Sequence, residues 1–201
     1  MRTVPVAATV VRIGIVAPSR GGTARAVHLG TILDGVLDEV FDHVPVPYRT
    51  PTWYRRPEGD NTTLVIPPSV PRRWVATDFA DELAGALRRR NRHLNEFGRL
   101  RLRLAADHGD VVLRRPNFGG AAIALAVWLC EAEVLKAAMA AEPERDQLLI
   151  VSDRFHAAIG DAPEFRRVVV HAGGEREIAW LRTGPDTGTR NTGSGDGLAP
   201  S

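Results

Sequence analysis

The strictest pattern in the chain is Arg99-Leu-Arg-Leu-Arg-Leu104, a polar–apolar alternation of period two that predicts a strand with one wet face. A buried strand is predicted over Val10–Val16, which is rich in β-branched residues and runs into Ala-Pro-Ser-Arg-Gly-Gly, a turn signal. From Ala24 to Phe41 the period becomes helical, with Val27, Ile32, Val36, Val40 and Phe41 on repeat and Pro45 and Pro47 closing the segment. Thr52–Arg56 and Thr62–Ile66, joined by Pro-Glu-Gly-Asp-Asn, predict a hairpin that leaves through the stiff stretch Pro67–Pro71. A second amphipathic helix is predicted over Val75–Phe97, with Phe79, Leu83, Ala86 and Leu87 on one side.

In the second half, Asp107-His-Gly-Asp110 reads as a turn between the alternating strand and Val111–Leu113, making another hairpin. Gly119–Ala141 reads as one long helix, apolar nearly all round and interrupted by Glu131, Glu133 and Lys136, so it should be buried on more than one side. Leu148–Val151 is a short buried strand, and Ser152 and Asp153 are natural N-caps for a helix Arg154–Ile159. Phe165–His171 and Glu175–Leu181 form a last hairpin around Gly173-Gly174. The order β-α-β-β-α-β-β-α-β-α-β-β predicts an α+β domain over residues 1–183, a mostly antiparallel sheet with helices packed on it. Residues 184–201 are Gly, Thr, Pro, Asp and Ser with almost no apolar residue, a disordered C-terminal tail.

Composition narrows the partners. A chain of 201 residues can bury a full core. Its formal net charge of +2 is too small to imply a nucleic acid or a membrane surface. The single Cys130 excludes an intrachain disulfide and a cysteine zinc cluster, and no apolar run reaches membrane-spanning length. Without a signal-peptide pattern, a cytoplasmic location is expected. Arg88, Arg89, Arg90 and Arg92 fall in the last turns of a predicted helix, where cations oppose the helix dipole, and read as a solvated end.

Candidate chemistry is sparse. Ser19-Arg-Gly-Gly-Thr-Ala-Arg25 lies between a strand and a helix start; its N–H groups with Arg20 and Arg25 could receive an anion, or it is a tight turn with Thr23 as cap. His108 between Asp107 and Asp110 reads as turn chemistry, and Ser152-Asp153 with His156 lacks a nucleophile-elbow context. No carboxylate occurs before Asp34.

Four segments in order resemble the class III nucleotidyl (adenylate/guanylate) cyclase homology domains of actinobacteria. They are the strand and loop ending Ala-Pro-Ser-Arg20; Arg56-Pro-Glu-Gly-Asp60 with Thr63–Pro67; Arg99–Val111 entering the helix that ends Trp128-Leu-Cys-Glu-Ala-Glu-Val-Leu-Lys136; and Leu148–Phe155 with Ala-Trp-Leu181. The resemblance implies a ferredoxin-like-derived, twisted, mostly antiparallel sheet flanked by helices. It implies active sites between two domains paired head to tail, where two carboxylates hold metal ions in two-metal fashion. A helix Asn orients the ribose, an Arg one turn later stabilises transition-state charge, and a Lys with an Asp or Thr reads the purine.

Position by position, the resemblance places the first metal Asp at Gly14 and the second at Asp60. The purine-reading Lys falls at Arg56 and its companion near Ala121; the ribose Asn falls at Ala124 and the transition-state Arg at Trp128. These departures predict a chain that is not an enzyme: a pseudo-cyclase acting as a regulatory or binding module in bacterial signalling. The expected partner is a second copy or another cyclase-like domain, with Ala121, Ala124 and Trp128 at the interface. The alternatives are a purine-nucleotide sensor without turnover, using Ser19, Arg20, Gly21, Gly22, Arg25 and Arg56, or a cyclase with rearranged catalytic residues. No cofactor is expected, apart from magnesium or manganese accompanying a nucleotide where a site survives. Asp60 is then the metal candidate, with a hairpin-turn role as its other reading.

Overall fold

Strand β1 (Val6–Ile15) is hydrogen-bonded along both edges, and the rest of the sheet is built outward from it. The coordinates are those of a computed structural model, which describes residues 5–17, 21–51, 53–114, 117–172 and 175–184. On one side β1 pairs with β3 (Asn61–Ile66), itself hairpinned to β2 (Tyr54–Glu58); on the other it pairs with β4 (Leu102–Arg114). β5 (Asn117–Gly119) folds back on the end of β4. β6 (Gln147–Ser152) continues the sheet parallel to β4, followed by the terminal hairpin of β7 (Phe165–Ala172) and β8 (Glu175–Arg182). The strand order is β2-β3-β1-β4-β6-β8-β7, a mixed α+β sheet in which β4–β6 is the parallel pair.

The period of two divides each strand between two cores. Val11, Ile13 and Ile15 of β1, with Leu64, Ile66, Leu102 and Leu104, pack under α1 (Gly22–His43) and α3 (Ala80–Asn91) through Leu29, Leu33, Leu37, Leu83 and Leu87. α3 continues α2 (Arg72–Trp74) through a π-helical turn at Val75–Phe79. The opposite face is covered by α4 (Ala121–Cys130) and α5 (Glu133–Ala141). There Val10, Val65 and Val111 meet Ala122 and Ala126, while Ala105, Leu148 and Ile150 meet Leu129, Leu135 and Met139. Gly120 (φ 135°) lets α4 start flush on β4, since a Cβ there would stand 2.5 Å from the Asp110 carbonyl oxygen.

Three expected elements change. The Asp107–Asp110 turn does not form: Ala7↔Asp110 through Val10↔Asp107 continue the β1 ladder without a break. The reason lies in tertiary pairing, which outweighs local turn propensity. The Asp107 carboxylate is fully buried and accepts from Ser152 Oγ (2.6 Å), Arg154 Nε (2.7 Å) and Arg154 Nη2, where a turn would have used it locally. The long helix from Gly119 is two helices, because Ala132 is extended (φ −62°, ψ 135°) and α5 turns away over β6. The helix expected to reach Phe97 stops at Asn91, whose Nδ2 donates to the Leu100 carbonyl and to Asp146 (2.8 Å each) and whose Oδ1 accepts from Leu100 N–H (3.0 Å). The cap expected at Ser152 is present: its Oγ accepts from Phe155 N–H at 3.1 Å and opens α6 (Asp153–Ile159). The tail expected to be disordered lies, from residue 185 on, outside the described residues.

Asp107→Ala should strand the Ser152 hydroxyl and the Arg154 guanidinium, and cost about 2–4 kcal/mol of stability in urea unfolding with the fold intact.

Candidate functional site

Register places one polar row of side chains on the α4 face of the sheet. Thr63 on β3 stands between Arg56 on β2 and Arg12 on β1, and Asn61 on β3 pairs with Gly14, which pairs in turn with Arg103 on β4. Even positions of β1 and odd positions of β3 and β4 share this face, as Val10, Val65 and Ala105 show by packing under α4 and α5. Three arginines therefore share one face, and Arg103 is the one that lies beside Gly14, a residue with no side chain.

Each is held by a carboxylate. The Arg12 side chain is 11% exposed; its Nη1 donates to Thr63 Oγ1 at 2.6 Å and to Glu58 Oε2. Arg56 Nε stands 3.4 Å from Glu58 Oε1, and its guanidinium covers the Phe118 ring at 4.6 Å, whose edge meets Tyr54. Arg103, also 11% exposed, donates from Nη2 (3.0 Å) and Nη1 (3.3 Å) to the two oxygens of Glu131, just past the end of α4. Lys136 reaches the same carboxylate at 3.5 Å. Two buried polar atoms here have no partner, Arg103 Nε and Asn61 Oδ1.

The space above Gly14 is taken up by its neighbours. A Cβ built on Gly14 would lie 2.8 Å from Asn61 Oδ1, 3.2 Å from Cys130 Sγ and 3.6 Å from Arg103 Nη2. Asp60 sits in the two-residue turn between β2 and β3, where its carbonyl accepts from Ile15 N–H (3.0 Å) and its exposed Oδ1 from Asn61 Nδ2 (2.7 Å). Among the described residues no three His, Cys, Asp or Glu side chains group as a metal site. Two unit charges 4 Å apart near a protein surface interact by about 4 kcal/mol, and a divalent ion beside a guanidinium would be repelled by about twice that. The residues around Gly14 do not fit a divalent ion.

The other expected positions are spread out. Ser19 and Arg20 lie outside the described residues. Gly21 (φ 112°) precedes α1, which begins at Gly22 without a side-chain cap, so Thr23 does not cap it. Arg25 is buried and spends Nε on the Phe97 carbonyl and Nη1 on the Ala17 carbonyl (2.7 Å each), with its guanidinium over the Phe97 ring: it ties the loop after β1 to the loop before β4. Ala121 and Ala124 are exposed on α4 and Trp128 is half-buried against the core. His108 belongs to β4, and burial first, then the Arg72 charge, pushes its imidazole below the ordinary range. Asp153 accepts from Trp180 Nε1, and His156 stacks on Trp180, away from Ser152. Sequence reasoning missed Arg12, Glu58, Asn61, Arg103, Cys130 and Glu131. The alternation at Arg99–Leu104 did put Arg103 on a polar face, but the strand opposite it is a matter of register.

No protein-family profile matches the chain, and no curated protein matches it. Solved structures do. The guanylyl cyclase Cya2 superposes with a TM-score of 0.60 at 16% identity, over 90% of this chain and 93% of that one. An adenylate/guanylate cyclase/hydrolase from Silicibacter pomeroyi gives 0.61 at 17% identity, over 90% and 99%. A dimeric guanylyl cyclase domain of the RhoGC fusion protein from the aquatic fungus Blastocladiella emersonii gives 0.53 at 14%, over 89% and 97%. Identities this low establish a shared fold, the class III cyclase fold expected from the motifs. They also correct the expectation that the chain is not an enzyme: the structures it resembles are cyclases by name, and three residue identities at Gly14, Ala124 and Trp128 do not establish inactivity. Among the described residues no helix is long and apolar enough to cross a membrane.

Cys130 Sγ reports on this site. Burial pushes its thiol up to about 12, Arg103 and Arg12 pull it down, and Glu131 and Asp60 push it further up. The native protein should therefore resist a disulfide reagent at pH 8, where roughly one thiol in ten thousand is ionised, and should react fully once unfolded in urea.

Proposed function

We propose that the chain is a purine-nucleotide-binding domain of the class III cyclase kind that serves signalling. The observation that carries the proposal is that Arg12, Arg56 and Arg103 share one face of the sheet, with Arg56 at the position where the motif resemblance puts the purine reader and Arg103 beside Gly14, where it puts a metal carboxylate. Arg56 presents a planar donor at the purine-reading position, backed by the Phe118 ring, and guanidinium forks match phosphate oxygens. A second reading, a nucleotidyl cyclase with rearranged catalytic residues, is favoured by the names of the similar structures. It is tested in the same samples by assaying for cyclic nucleotide and pyrophosphate.

In a thermal-shift panel, ATP or GTP should stabilise the native state, and CTP and UTP should not. A ligand at a hundred times its Kd adds about 2.7 kcal/mol, worth roughly 5–10 °C for a chain of this size. Arg56→Ala should remove the preference for purines. No shift with any nucleotide, together with no cyclic product, contradicts the proposal.

Pairing with a second copy through α4 belongs to the same proposal. From Ala121 to Cys130 this helix carries no charged residue, and Ala121 and Ala124 leave its outer face open. Sedimentation at micromolar concentration should show a dimer, and Ala124→Glu should shift it to monomer.

A further inference from the structure

The phosphates of a nucleotide need positive charge, and around Gly14 that charge is already covalently present. We infer that the Arg103 guanidinium, assisted by Arg12, is a built-in cation that holds a phosphate group on the α4 face without a divalent metal ion. The inference rests on the nucleotide-binding reading above and specifies how that site recognises its ligand.

Arg103 is placed by β4, a central strand paired on both sides, directly opposite Gly14. Its side chain is 11% exposed, and its Nη2 would stand 3.6 Å from a Cβ on Gly14, in a space that Asn61 Oδ1 and Cys130 Sγ approach more closely. The fork is parked on Glu131, a carboxylate 47% exposed and shared with Lys136. Ion pairs open to solvent are weak and exchangeable, and a phosphate offers the same two-oxygen edge with more charge. The third guanidinium donor, Nε, is buried with no acceptor, and an oxyanion would satisfy it. Arg12 adds a second fork two residues from Gly14, on the same face of β1 and about 7 Å along the strand. Asp60 is turned to its own neighbour, Asn61 Nδ2, and the nearest second carboxylate that a metal pair requires is absent from β1.

The test is calorimetric titration of the whole chain with ATP, GTP and inorganic tripolyphosphate, in excess EDTA and in excess manganese. The expected result is a Kd in EDTA within about threefold of that in manganese, with tripolyphosphate also bound. Arg103→Met should weaken binding more than about tenfold and Arg103→Lys less, because a lysine supplies the charge without the fork. Glu131→Gln removes the competing negative charge while leaving an amide oxygen to accept from the Arg103 fork, and should tighten binding by roughly tenfold even if the Arg103 variants prove unstable. Nucleotide binding that vanishes in EDTA and returns with manganese overturns this inference and leaves the nucleotide-binding reading standing. Nucleotide bound in EDTA without any tripolyphosphate binding overturns the assignment of the phosphate to Arg103. Absence of nucleotide binding in both buffers overturns both.

Discussion

The double pairing of β1 is the constraint on which the rest of the molecule depends. From Thr9 to Gly14 each residue is opposed by β3 on one edge and by β4 on the other. A slip of one residue between β1 and β3 would set Val10 opposite Leu64 or Ile66, so that one of the two strands would turn its α1-face residues to the α4 face and its α4-face residues to the α1 face. Register is therefore fixed by burial, and with it the polar row. Arg12 must stand by Thr63, and Gly14 must lie between Asn61 and Arg103. The site is a by-product of the ladder rather than of any local motif.

Electrostatics then decides what that site can hold. A fold whose similar structures are named cyclases carries here, on its central strand, an uncharged Gly14 faced by an arginine. The lack of a carboxylate on β1 and the Arg103 guanidinium beside Gly14 both act against a bound cation and in favour of an anion. Glu58 and Glu131 neutralise the arginines in the free protein, Glu58 in a part-buried pair and Glu131 from an exposed position. Burial restricts Arg103: its side chain is 11% exposed, and Cys130 Sγ lies 3.5 Å from the Arg103 carbonyl.

Much of the fold was legible because its hydrophobic periods are clean. The alternation at Arg99–Leu104, the β-branched run of β1, the helical repeat of α1 and the cap at Ser152 all led to the elements observed. The failures share one cause. Asp107-His-Gly-Asp110 has the residues of a turn, yet Ser152 and Arg154, some 45 positions later, satisfy the aspartate and keep β4 straight. Asn91 ends α3 by binding Leu100 and Asp146, which no local window contains. The site divides the same way. That β1 has no carboxylate can be read along the chain, whereas the placing of Arg103 beside Gly14 exists in register alone. The inference from residue types at three family positions to a non-enzyme does not hold, because the solved structures that share this fold are named cyclases.

The account turns on where the phosphates lie and on what neutralises them. The most direct measurement is a crystal structure with a non-hydrolysable purine triphosphate soaked in manganese, with anomalous data at the manganese edge. The account predicts phosphate oxygens on the Arg12 and Arg103 forks, Glu131 released from Arg103, and no anomalous peak between Gly14 and Asp60. A manganese peak bridging Asp60 and the phosphates, with Arg103 still paired to Glu131, would contradict it.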